Sequence, residues 1–181
     1  MRRVLFAIAV VPLLVGLLPI TAFAGSEGAE GNHETYHWVV TVSMPATAMA
    51  ADGSTVTMKG NGMLKAGPNG FANGGGSFVM KNASGAPVAS GTFSASDILG
   101  FVSYGTTTLP QFPAGATGGE AKLRVTLTGT SGVFTGVLTI ICVVKGSNPP
   151  AGKDEGITLV LGQGGDFTKE AGGNTVFQDI S

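Results

Sequence analysis

The chain has few of the side chains on which most enzyme chemistry depends. It carries one cysteine, Cys142, and two histidines, His33 and His37, and its arginines are Arg2, Arg3 and Arg124. A single cysteine excludes a disulfide framework within the chain, so stability has to come from the core. Charged residues make up only 12% of the chain, about half the ordinary share. Nucleic acids and anionic membrane surfaces call for grouped Lys and Arg, and no such group is present. Disorder is excluded by the same composition, because disordered chains are rich in charge and poor in β-branched and aromatic residues. Helices long enough for parallel crossovers are also missing from the pattern.

What is there begins with a leader. Arg2 and Arg3 precede an apolar run from Val4 to Phe23, and Ala22-Phe23-Ala24 supplies a small-x-small cleavage site. This is the layout of a secretory signal peptide spanning residues 1–24. The expectation is a secreted or extracytoplasmic protein, with the mature chain starting at Gly25. An uncleaved leader would be the one route to membrane attachment. Residues 25–34 are small, polar and acidic, and read as a flexible lead-in.

Residues 35–181 then read as one all-β domain. Tyr36, Trp38, Val40, Val42 and Met44 alternate with polar residues, as do Val56, Met58, Gly60, Gly62 and Leu64. A period of two marks a strand with one buried face. Asn82-Ala83-Ser84-Gly85, between Ser77–Lys81 and Val88–Ser94, reads as a hairpin turn. Leu123, Val125 and Leu127 face the core, with Lys122, Arg124 and Thr126 outward. Val133 to Val144, Ile157 to Leu161 and Thr175 to Asp179 complete about eight short, mainly antiparallel strands, in a barrel or a sandwich. Ile98, Phe101 and Val102 break the period with helical spacing. They predict at most one short helix or turn near 95–104. Residues 106–119, with Pro110, Pro113 and several glycines, predict a long surface loop, as does the glycine-rich stretch 67–76.

Several strings invite a chemical reading. His33-Glu34-Thr35-Tyr36-His37 spells H-E-x-x-H, which binds zinc when a helix brings both histidines to one metal. The β-branched run after His37 predicts a strand instead, and a strand would hold the two imidazoles roughly 13 Å apart at ~3.3 Å per residue. No G-x-S-x-G is present, and Gly162-Gln163-Gly164-Gly165 lacks a βαβ unit around it. Asn82-Ala83-Ser84 is a glycosylation sequon, but a tight turn is the better reading of it. Asp154 and Glu155 are adjacent and point to opposite sides of an extended chain. Glu120, Asp166 and Glu170 read as scattered, solvated loop carboxylates. Cys142 and Trp38 share the apolar parity of their strands and read as core. No catalytic, cofactor-binding or metal-binding residue is assigned from sequence.

The strings GGGSFVMKNASGAPVASGTFSA, LGFVSYG, GGEAKLRVTLTG, GVLTIICVV, EGITL and GGNTVF, over about 74–177, resemble a family of small secreted bacterial β-proteins of unknown function. The resemblance implies an exported all-β domain and assigns no activity. The expectation is a non-catalytic binding or cell-envelope protein. The alternatives are a barrel holding a small apolar ligand, with Ile98–Val102 and the 106–119 loop over its mouth, and an enzyme of unrecognised type. In the ligand-holding case Met44, Met58, Met63 and Met80 would form an adaptable lining.

Overall fold

A computed structural model describes residues 34–41, 43–163 and 165–181. The leader, the lead-in up to His33, and Val42 therefore lie outside the described residues. The described residues are all-β, without a helix. In chain order the strands are β1 Thr35–Val40, β2 Ala46–Met49, β3 Thr55–Lys65, β4 Phe71–Ala72, β5 Gly75–Lys81 and β6 Pro87–Thr106. They continue as β7 Ala116–Gly129, β8 Gly132–Cys142, β9 Gly156–Leu161, β10 Asp166–Phe167, β11 Lys169–Glu170 and β12 Thr175–Asp179.

Every pairing between these strands is antiparallel, and together the pairings close a ring. β1 pairs with β3, β3 with β5, β5 with β6, β6 with β7, β7 with β12, and β12 with β1. The sheet is thus a barrel, the alternative that the period of two could not separate from a sandwich. At one end of the ring lie the turns β2–β3, β5–β6 and β7–β8; we call it the hairpin end. Towards that end β2 replaces β1 on the edge of β3, and β8 replaces β12 on the edge of β7. β9 follows β8. The gap between β9 and β2 is spanned by residues 166–170, because β10 pairs with β9 and β11 with β2.

The interior is one continuous core. Leu123, Val125 and Leu127 are fully buried, as their alternation predicted, and so are Trp38, Val40, Leu138, Ile140 and Phe177. Trp38 donates its indole N–H to the Asn73 carbonyl at 3.2 Å. Glycine makes room for that ring: a Cβ at Gly62 would lie 2.7 Å from the indole. At Gly76 it would meet the Lys59 carbonyl at 1.9 Å. Inward glycines of this kind let the sheet bend tightly around large aromatic rings.

Three expectations change. Residues 95–104 form no helix; they belong to the strand β6. The register of β6 against β7 slips between Ala95 and Asp97, Ile98 and Gly100, and Ser103 and Gly105. Each bulge adds one unpaired residue. Inward positions therefore step from Ala95 to Ile98 to Phe101, a spacing of three that imitates a helix. Val102 and Leu99 point to solvent. The 106–119 loop is shorter than expected, because β7 starts at Ala116 and buries Ala116–Gly119. The glycine-rich 67–76 stretch contains β4 and the start of β5. β2 gave no hydrophobic signal since its inward residues, Ala46 and Ala48, are small.

Candidate functional site

Glu34, Thr35 and His37 carry the described part of the H-E-x-x-H string, and Thr35 and His37 lie on the strand β1, as predicted. His33 falls outside the described residues. Tyr36, on the inward face, donates its hydroxyl to the Glu34 carboxylate and packs at a tilt against Phe101, 4.5 Å between ring centroids. Burial first, then the Glu34 hydrogen bond, raise the Tyr36 hydroxyl well above the usual phenol value. Among the described residues no group of three or more His, Cys, Asp or Glu side chains could hold a metal ion.

Cys142 is fully buried, as its parity predicted. Its Sγ donates to the Thr175 carbonyl at 3.2 Å. Burial pushes the thiol up to about 11, so it stays protonated at neutral pH and lacks the thiolate that nucleophilic attack needs. Thr175 also donates its N–H to Glu155 Oε1 at 2.8 Å. Burial raises the Glu155 carboxyl, against the opposing effect of that N–H.

Glu120 departs from its sequence reading as a solvated loop residue. It sits on β7 with a side chain only 13% exposed. The segment 143–155 folds over it, and Lys153 Nζ approaches Oε2 at 2.5 Å. Tyr104 donates its hydroxyl to the same oxygen at 3.2 Å, and Lys122 Nζ lies 3.5 Å from Oε1. Burial alone would raise the Glu120 carboxyl. The Lys153 hydrogen bond and charge, with Lys122 and Tyr104, outweigh it and hold the carboxyl below its usual value. A carboxylate held ionised between two ammonium groups is a poor general acid or base, and the cluster acts as a clasp on the 143–155 segment. The linear sequence carries no signal for it, because Tyr104, Glu120 and Lys153 are far apart along the chain.

Among the described residues, a concavity with an apolar floor lies at the hairpin end. It is an open groove of about 520 Å³, lined by Ala50, Met80, Val88 and Phe167, with Asp52, Lys81 and Asp166 among its polar neighbours. Small-molecule sites commonly occupy ~300–1,000 Å³ and combine an apolar lining with a few polar groups. Val88 is 55% exposed and lines the groove. Met80 and Phe167 belong both to the groove and to the core cluster, so they form the wall between the two. Asp52 accepts the Ser54 N–H at 2.9 Å and its hydroxyl at 3.0 Å, which lowers its carboxyl. The groove lies at the end of the barrel opposite Ile98–Val102 and the 107–115 loop, the segments expected to cover a mouth. Sequence reasoning missed this groove, since it brings together three separate turns. No family model, curated protein or solved structure matches this chain.

Proposed function

We propose that this is an exported, non-catalytic β-barrel that binds a small, largely apolar molecule in the groove at its hairpin end. The observation that carries the reading is the pairing of an exposed Val88 with a 520 Å³ groove whose back wall, Met80 and Phe167, is the edge of the core. The interior of the barrel is filled by its own side chains, so a ligand meets the protein at this wall. The chemistry-bearing groups support binding over catalysis. Cys142 is buried and protonated, and the Glu120 carboxylate is held ionised by Lys153 and Lys122. The leader at residues 1–24 supports a place of action outside the cytoplasm.

The test is a fluorescence titration with N-phenyl-1-naphthylamine, a compact uncharged apolar probe. The wild-type protein is expected to bind it. Val88→Lys should weaken binding at least tenfold, while Val102→Lys, at the opposite end of the barrel, should leave it unchanged. Absence of probe binding, or equal weakening by the two substitutions, would overturn the reading.

A further inference from the structure

We infer that Met44 is the site at which hydrogen peroxide oxidises this protein, and that its sulfoxide fastens the β1–β2 connection to Asn174. Three observations carry this, none of them at the groove.

The first is exposure. The sequence suggests Met44, Met58, Met63 and Met80 as the lining of an apolar cavity. In the structure Met58 is 0% and Met80 8% exposed, both in the core, whereas Met44 is 52% exposed between β1 and β2. Met49 and Met63 are half-buried. An oxidant has to reach a thioether before it can react with it, so Met44 reacts first among the described methionines.

The second observation is what faces the sulfur. Asn174 directs its side-chain amide at it, with Nδ2 3.6 Å from Sδ. A thioether is only a weak acceptor. Oxidation turns it into a polar group whose oxygen accepts a hydrogen bond more strongly, beside a donor that is already in place.

The third is the backbone frame around the pair. Met44 donates its N–H to Thr41 Oγ1 at 3.3 Å, and the Thr41 hydroxyl donates to the Met44 carbonyl at 3.1 Å. Asn174 donates its N–H to the Met44 carbonyl, and Thr41 donates its N–H to the Asn174 carbonyl, both at 3.0 Å. Met44 and Asn174 are thus held together before the sulfur changes. A sulfoxide disrupts a protein when it forms inside a core. Here it forms in contact with water, and the barrel interior is not entered.

The step balances without any other group. A lone pair of Sδ attacks one peroxide oxygen, the S–O bond forms and the O–O bond breaks. The sulfur gives up two electrons. The departing hydroxide takes the proton of the transferred oxygen and leaves as water.

The experiment treats the exported chain with increasing hydrogen peroxide at neutral pH and maps sulfoxide at each methionine by mass spectrometry. Met44 should oxidise roughly fivefold or more faster than Met49 and Met63, with Met58 and Met80 last. Amide hydrogen exchange of the singly oxidised protein then reads the clasp. Exchange at Thr41 and Asn174 should slow about twofold or more, because the added bond opposes local opening. Met44→Leu should abolish the fast oxidation. Asn174→Ala should still be oxidised at Met44 but lose the slowing of Thr41; both substitutions are at exposed positions. A second methionine oxidising as fast as Met44 would overturn the site. Unchanged or faster exchange at Thr41 and Asn174 in the sulfoxide, or slowing that survives Asn174→Ala, would overturn the clasp.

Discussion

The barrel is closed in two places, by two different kinds of seam. At one, β12 pairs with β1 over Thr175–Val40 to Asp179–Tyr36, and the buried rings of Phe177 and Trp38 lie on the strands that meet there. At the other, residues 166–170 stretch between β9 and β2 with two paired residues on each side. The first seam joins a five-pair ladder to β1 and a two-pair ladder to β7 with the packing of the core. The second relies on short ladders and one ring, Phe167, that borders an open groove. One sheet thus has a permanent closure and a light one, and the candidate binding groove lies beside the light one.

The largest effect expected from this contrast is on stability. Phe177→Ala should cost ~3–5 kcal/mol, through lost burial and the void left behind. That is a large part of the ~5–15 kcal/mol that holds a domain of this size. Phe167→Ala should cost clearly less, since water in the groove can fill the space it vacates. Urea unfolding of the two variants measures the difference; equal losses would mean that both seams hold the fold alike.

Amide exchange sharpens the same contrast without mutation. The amides of 166–167 should exchange by local opening, well before those of 175–177, whose exchange should follow global unfolding. Exchange of both segments at one rate would remove the distinction between the seams.

A smaller effect is expected from the clasp at the far end. Glu120 has a folded carboxyl value below its unfolded value of ~4.3. Its contribution to stability is present in full above that unfolded value, and is lost as pH falls through the lower folded one. In thermal melts between pH 7 and pH 3, Glu120→Gln should therefore lose less stability on acidification than wild type. Parallel curves would show that the Lys153 contact is a surface ion pair with no grip on the 143–155 segment.

Much of the fold was legible because a strand with one buried face writes its period of two into adjacent residues. Trp38, Leu123, Val125, Leu127 and Cys142 all went inward on that signal. The signal failed where the backbone changed count. In β6, bulges moved the inward positions to Ile98 and Phe101 and made a strand look like a turn of helix. It was also silent in β2, where alanines face the core, and at Glu120, whose burial comes from Tyr104 and the 143–155 segment.

The sequence by itself determined the all-β class, the hairpin at Asn82–Gly85 and the inward faces of the regular strands. Each is a property of neighbouring residues: alternation, or a turn tetrapeptide. Only the tertiary structure decided that the sheet closes, which two seams close it, and that a groove opens beside the weaker. Closure is made by backbone N–H and C=O groups, which nearly every residue carries alike. Which distant strands use them to meet is therefore written in no single segment.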